Sequence, residues 1–349
     1  MNNAAEKHHL SETNVVVIGG GTGLSVLLRG LKLHTKNITA IVTVADDGGS
    51  SGKLRRELGV LPPGDFRNCI AALANDEDLI TQLFQYRFRD GSGLEGHSFG
   101  NLFITALAEV TGSFEEALYE SGRVLNIQGV ILPSTLEDIK LIAEVGEGSQ
   151  ARKVQGESAI PEAKLPIERV YLQPDEPRAF PAALQALLKA DLIVAGPGSL
   201  YTSIMPNLLI RELANAIRTS NAKKVYICNV ATQPGETDNY TLDDHVNAIE
   251  VHTQIIDSFY EREIYSSSDT DKLNTHHSKG YVFNYVLANN NLDYPIPPSM
   301  SHLQAILPTH PTHKGYQVIE ADVVDEAYPW RHDHLKLAGQ LMKWYETTA

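Results

Sequence analysis

Along the first fifty positions the apolar residues fall into two alternating patterns. Val15, Val16, Val17 and Ile18 form an unbroken apolar run, the pattern of a strand buried on both faces, as in a parallel sheet. A glycine cluster follows. Then Leu24, Leu27, Leu28 and Leu31 recur at helical spacing and predict a helix over 24–33. A second apolar run predicts a strand over 38–44, and the three together make a βαβ unit of roughly thirty residues. The pattern then turns helical. Asp65, straight after Pro62, Pro63 and Gly64, is placed to cap a helix over 65–75. Further helices are predicted over 77–88, 101–110 and 114–125. Strands are predicted over 128–132, 139–145 and 167–172, with the polar stretch 146–164 as a β-rich excursion or flap. The α/β rhythm resumes with a helix over 180–189, a strand over 191–195, a helix over 207–219 and a strand over 224–229. A helix over 242–256, a strand over 281–287 and a closing helix over 333–345 complete it. Residues 258–280 and 288–316 are polar and carry no periodicity. Strands alternating with helices point to an α/β, doubly wound, mainly parallel sheet whose ligands sit at the carboxyl ends of the strands.

Composition narrows the class. The chain has 349 residues, which at ~150 residues per domain allows about two, or one continuous α/β domain with a smaller lobe. With 42% hydrophobic and 21% charged residues it reads as an ordinary globular protein. Lys+Arg 29 against Asp+Glu 43 leaves −14, a field that repels phosphate backbones and anionic lipid. Neither nucleic acid nor a membrane surface is expected as a partner, which leaves room for a local basic pocket. Cys69 and Cys228 are too few for a disulfide framework and sit in apolar runs, so buried free thiols of a reducing compartment are expected. The polar opening 1–14 has no apolar signal core, and no run approaches ~18 apolar residues. A cytoplasmic location is expected.

The candidate chemistry lies in the loops after the strands. Gly19, Gly20, Gly21, Thr22 and Gly23 join the first strand to the first helix. Glycines let several backbone N–H groups face one anion, and the helix N-terminus adds its dipole. The alternative is a turn used only for strand-to-helix packing. No Gly-Lys-Ser/Thr follows, so this is not Walker A, and Leu24 breaks the dinucleotide fingerprint. Asp46 and Asp47, followed by Gly48, Gly49, Ser50, Ser51 and Gly52, come after the second strand. These carboxylates could hold a ribose hydroxyl, hold Mg²⁺ at a diphosphate, accept a proton from an attacking hydroxyl, or simply cap a turn. Gly196, Gly198 and Ser199 form another glycine turn after the strand over 191–195, and Asn229 and Gln233 follow the next strand.

Other candidates lie off the strand ends. Arg67 and Asn68 open the helix after Pro62 and Pro63. A cation there opposes the helix dipole, so it is expected to meet a ligand or a carboxylate. His97 and Asn101 follow a glycine loop, the histidine as an acid–base group or as a capping and packing residue. The histidines at 276, 277, 310, 313, 332 and 334 have no metal-ligand spacing, and no metal site is expected. No serine- or cysteine-hydrolase motif occurs.

The blocks at 17–25, 44–53, 61–69, 84–88, 96–102, 132–138, 196–209 and 228–240, with Arg331-His332-Asp333, resemble the bacterial YvcK-type gluconeogenesis factors. That group is sister to the CofD 2-phospho-L-lactate transferases. The resemblance runs over 14 to about 257 and resumes near 331. It implies a Rossmann-like fold in one CofD-like domain over 14–349, after a leader at 1–13. Residues 53–175 would form a helical and β-rich insertion and 258–330 a divergent segment. It further implies a nucleotide diphosphate ligand, a UDP-sugar such as UDP-N-acetylglucosamine or else NAD, with Mg²⁺ as a further candidate. In the transferase branch the positions of the glycine turn and of Asp46 and Asp47 belong to the group-transfer site. Arg331 could fork onto the diphosphate or make a surface salt bridge. Where some relatives carry threonine three residues after that arginine, this chain has His334.

The role that the resemblance implies is regulation linking carbon metabolism to envelope precursor supply and cell shape. The expected partners are a metabolic or envelope-synthesis protein and further copies of this chain. The alternative is a Mg²⁺-assisted transferase acting on a nucleotide diphosphate carrier. Leu24 argues against a third reading, a dinucleotide oxidoreductase.

Overall fold

The computed structural model describes residues 12–75, 79–89, 91, 93–264, 281–309 and 315–348, with backbone only for 255–264. Residues 1–11 of the leader, the histidines at 276, 277, 310 and 313, and the stretch 265–280 lie outside the described residues.

Seven parallel strands form the main sheet. β1 (Val15–Gly19) lies at its centre between β2 (Ile38–Val42) and β7 (Leu192–Ala195). Beyond β2 comes β3 (Val130–Pro133). Beyond β7 come β8 (Lys223–Ile227), β9 (Tyr285–Asn289) and β10 (Gln317–Ala321), giving the order β10-β9-β8-β7-β1-β2-β3. Every residue of β1 and β7 is buried, which is why both runs lack polar alternation. Strand order reverses between β1 and β7. This is the topological switch point where open α/β sheets bind ligands.

A second, antiparallel sheet is built from β4 (Lys140–Val145), β5 (Arg152–Gln155) and β6 (Ile167–Gln173), with β4 in the middle. It carries the short helix α7 (Ala159–Glu162). The expected insertion over 53–175 therefore contains β3, an edge strand of the main sheet, and the separate sheet occupies only its last third.

The helices preceding that sheet are α1 (Gly21–Leu31), α2 (Gly49–Leu58), α3 (Gly64–Leu73), α4 (Leu79–Gln85), α5 (Phe99–Thr111) and α6 (Phe114–Val124). Then come α8 (Pro181–Lys189), a wide turn over 200–204, α9 (Met205–Leu208), α10 (Arg211–Thr219), α11 (Leu242–Ile264) and α12 (His334–Thr348). α1 presents Leu24, Leu27, Leu28 and Leu31 to the core, all fully buried, each stabilising the fold by about 1.5–3 kcal/mol. On another face, α12 packs against it. The contact is possible because Gly30 lacks a side chain: its β-carbon would press on the His334 carbonyl and stand 2.6 Å from Ala338 Cβ.

Three local readings are corrected. The segment 48–52, expected among the loops after the strands, is the N-cap and first turn of α2, where Ser50, Ser51 and Gly52 are buried; tertiary packing overrides the weak helix preference of glycine and serine. Asp65 caps nothing. α3 begins at Gly64 after Pro63, and Asp65 sits buried in its first turn. The helix read over 207–219 is broken between Leu208 and Arg211.

Candidate functional site

The loops after β1, β7 and β8 gather at one end of the sheet around a cavity of about 820 Å³. Gly20, Gly21, Thr22, Gly23, Gly198, Ser199, Asn229 and Gln233 line it, as does Arg331 from the turn before α12. Glu157 reaches in from the small sheet. Met300, His302 and Leu303 line a further part of the wall. That last segment is tied down by Thr232 N donating to the Gln304 carbonyl (2.9 Å) and Ile306 N to the Val230 carbonyl (2.9 Å). A stretch without sequence periodicity thus becomes part of the wall by pairing with the loop after β8.

The two glycine turns differ in what they leave open. Gly20 precedes α1 with no side-chain cap, and Gly21 has φ +65. The start of this helix lines the cavity, and a helix N-terminus favours an anion, although the Gly21 N–H is already taken by Asp65. The second turn is already braced. Asn229 donates from Nδ2 to the Gly198 carbonyl (2.9 Å) and accepts from Gly198 N (3.3 Å). The same Asn229 donates to Gln233 Oε1 (3.1 Å), and Gln233 Nε2 donates to Ser199 Oγ (2.9 Å). Gly196 has φ +81 and its β-carbon position is filled by Ile204 and the Ile227 carbonyl, so it serves the turn from behind. The wide turn over 200–204 is capped by Glu236, which accepts from Tyr201 N (3.2 Å) and Thr202 Oγ1 (2.9 Å). Sequence reasoning did not single out Glu236. An acidic residue about 35 positions after the turn it caps leaves no local signal.

Asp46, Ser50, Ser51, Arg67, Asn68 and Asn101 line a separate cavity of about 220 Å³. Asp65 belongs to its wall, and Asp65 Oδ2 also stands 2.6 Å from the β-carbon position of Gly20. The two cavities therefore share a partition made by Asp65. Burial, helped by the neighbouring charge of Asp46, pushes the Asp65 carboxyl up to about 7, against a hydrogen bond from the Gly21 backbone and the charge of Arg67. Burial likewise raises Asp46. Glu157 is raised too, by burial first and then by Asp65, Asp46, Glu236 and Asp47. Asp65 Oδ2 and Glu157 Oε2 are buried without a hydrogen-bond partner.

Asp46 and Asp47 part ways. Asp46 accepts from Gly48 N (2.9 Å) and faces the smaller cavity. Asp47 turns to the small sheet, accepting from Ser158 N (3.0 Å), and its carboxylate fills the space where Gly156 lacks a side chain. Arg55, which no motif flagged, donates to the Val44 and Asp46 carbonyls (3.5 and 3.4 Å) and to Asp138 Oδ1 (2.7 Å), fixing the strand end that carries Asp46. His97 is buried, its Nδ1 3.0 Å from Ser50 Oγ, which lines the smaller cavity.

Among the described residues no three His, Cys, Asp or Glu side chains form a metal cage. Mg²⁺, however, is commonly held by one or two carboxylates with the rest supplied by phosphate and water. The unpartnered Asp65 oxygen beside Asp46 fits that mode.

Arg331 is exposed on the rim with its guanidinium over the Tyr328 ring, 5.7 Å from the centroid. Its backbone is fixed by Arg331 N donating to the Tyr328 carbonyl (2.8 Å) and by Asp325 N donating to the Arg331 carbonyl (3.0 Å). Asp333 caps α12, accepting from Leu335 N and Lys336 N (2.9 and 2.8 Å). His332 bonds the Cys228 backbone, and burial holds its ring at about 4, so it is neutral at pH 7; its Nε2 has no partner. Cys69 and Cys228 are buried free thiols. No described helix is long and apolar enough to cross a membrane.

Comparison with known proteins gives concordant matches. The family model described as 2-phospho-L-lactate transferase CofD matches residues 15–327, well past the point near 257 where the motif resemblance fades. A putative gluconeogenesis factor of Nostoc is 48% identical over 333 residues, 95% of this chain and 68% of that protein. The gluconeogenesis factor of Bacillus subtilis is 53% identical over 238 residues, 68% of this chain and 74% of that one. The crystal structure of a UPF0052-family protein from Bacillus halodurans matches with TM-score 0.80 and 41% identity, covering 95% of this chain and 98% of that one.

Proposed function

Because this chain belongs to the CofD family, among its gluconeogenesis factors, we propose that its larger cavity binds a UDP-sugar such as UDP-N-acetylglucosamine and that the protein acts as a regulator. The role that goes with this reading links gluconeogenic growth to cell-envelope precursor supply and cell shape, through a metabolic or envelope-synthesis partner and in the cytoplasm.

The observation that carries the reading is that the N-terminus of α1 and Arg331 line one cavity of about 820 Å³ at the switch point of the sheet. Backbone N–H groups at a helix start and a planar guanidinium in one cavity are complementary to a diphosphate. The cavity lies within the usual range for small-molecule sites. NAD would meet the same phosphate groups, although Leu24 leaves the dinucleotide fingerprint incomplete.

The alternative, a Mg²⁺-dependent transferase acting on a nucleotide diphosphate carrier, draws on the partition between the cavities. Asp46 and Asp65 could hold the ion beside Gly20, where it would neutralise phosphate charge. Asp46 would then be the residue placed to orient an incoming hydroxyl.

Calorimetric titration with UDP, a panel of UDP-sugars, NAD and GDP, with and without Mg²⁺, tests both readings when each mixture is also assayed for products. The regulator reading expects saturable UDP-sugar binding with the ligand recovered intact. Repeated turnover of a nucleotide carrier would replace it with the transferase, and an absence of nucleotide binding would refute both.

A further inference from the structure

We propose that the smaller cavity is a second, separate binding site, taking a small phosphate- or carboxylate-bearing group between Arg67 and Arg87. The inference rests on the geometry of this cavity and stands whichever nucleotide fills the larger one.

Arg67 lies in the first turn of α3 and is only 5% exposed. Its stem packs on Gly100, where a β-carbon would come within 2.8 Å of Arg67 Cγ, so the guanidinium is held in one place. Its Nη2 donates to Asn68 Oδ1 (2.7 Å), while its Nε is buried without a partner. Arg87 enters from the other side, its backbone pinned by the antiparallel bridge to Ser98 and its Nη1 donating to the Gly96 carbonyl (3.4 Å). Among the described residues neither arginine forms an ion pair.

Two guanidinium groups converging on one cavity, with an open N–H on the buried one, repel each other unless an anion lies between them. That repulsion adds to burial in lowering Arg67 to about 10. Asp65 and Asp46 pull Arg67 the other way without cancelling this; a cation buried so is costly, and a bound anion would stabilise it.

The rest of the lining defines the ligand. Asn101 bonds Ser51 Oγ through Nδ2 (3.5 Å) and leaves Oδ1 unpartnered; its amide can turn either end to a guest. Asp46 and Asp65 form the facing wall. They confine the negative end to the arginine side and favour a guest whose other end carries hydrogen-bond donors. At about 220 Å³ the space suits a small group, not a second nucleotide. The site lies across Asp65 from the glycine turn, so both cavities can be filled at once.

The test titrates inorganic phosphate, and separately acetate, at constant ionic strength into wild type, Arg87→Ala, Arg67→Gln and Arg331→Ala. Arg87 is on an exposed loop, so its variant keeps the test readable if Arg67→Gln fails to fold. The expected result is saturable binding of at least one anion, weakened about ten-fold or more in Arg87→Ala and Arg67→Gln. Preference for phosphate or acetate identifies which acid the site takes. Unchanged affinity in Arg87→Ala, a loss confined to Arg331→Ala, or no binding of either anion would overturn the proposal. A protein that fails to bind UDP-sugars yet binds phosphate through Arg87 would refute the function proposed above and leave this inference standing.

Discussion

The β-carbon position of Gly23 lies 2.8 Å from the carbonyl carbon of Pro197, so the first turn of α1 and the second glycine turn meet backbone to backbone across the switch point. One loop supplies the start of a helix to the cavity and the other, clamped by Asn229, supplies a fixed wall against which it is held.

Gly23→Ala cannot be accommodated without moving one of those backbones. It is expected to destabilise the fold by about 1–3 kcal/mol and to abolish nucleotide binding. Gly198→Ala is the contrast: its β-carbon would meet Gly20 O and Ser203 Cβ at 3.5 Å, an ordinary contact, so its stability should stay within about 0.5 kcal/mol of wild type. Urea unfolding of the two variants side by side checks this. Equal stability would mean that the turns do not brace each other.

Asp47 joins the small sheet to the main domain through Ser158. Asp47→Ala removes this exposed hydrogen bond and leaves the Ser158 N–H to water, at a cost of about 0.5–1.5 kcal/mol. Amide exchange should quicken over 152–163 and stay unchanged in β1 and β7. Uniform exchange across the chain would show that the small sheet is held by other contacts.

Stability should respond to pH through two groups of opposite sign. His332 has its folded value lowered from 6.5 to about 4. The unfolded chain therefore takes a proton that the folded one refuses, and stability falls as pH drops through that window, by up to about 3 kcal/mol. Asp65 has its folded value raised from 3.8 to about 7. Its contribution is present at acidic pH and is lost as pH rises towards 7. His332→Asn should flatten the acid-side loss. Asp65→Asn should gain on wild type as pH rises from about 4 to about 7. Denaturant midpoints at about pH 4.5, 6 and 8 report both, and parallel profiles for all three proteins would show that neither group titrates with folding.

Much of this was readable in the chain because the governing forces are local or periodic. The buried runs at Val15 and Leu192 and the leucine stripe from Leu24 announce strand and helix, and glycines after strands mark the ligand edge. What escaped depends on residues far apart in sequence. Asp65 looks like a cap but is drawn to the first glycine turn, and Glu236 caps a turn it follows by dozens of positions. Arg55 acts by wrapping the carbonyls of Val44 and Asp46, a role that no motif encodes. A list of candidate residues also carries no partition, so a single expected site resolves into two cavities on either side of Asp65.

Arg331 tests the central claim most directly. Its backbone is fixed by the turn from Asp325, its guanidinium has no ion pair among the described residues, and it lines the same cavity as the N-terminus of α1. The decisive measurement is the affinity of UDP-N-acetylglucosamine for wild type, Arg331→Ala and Arg331→Lys, taken with their melting temperatures. A charge-assisted hydrogen bond to diphosphate contributes about 1.5–3 kcal/mol, so the alanine variant should bind roughly 10- to 150-fold more weakly at unchanged melting temperature. Lysine should recover only part of the loss, because it lacks the planar fork. Equal affinity in wild type and Arg331→Ala would contradict the account.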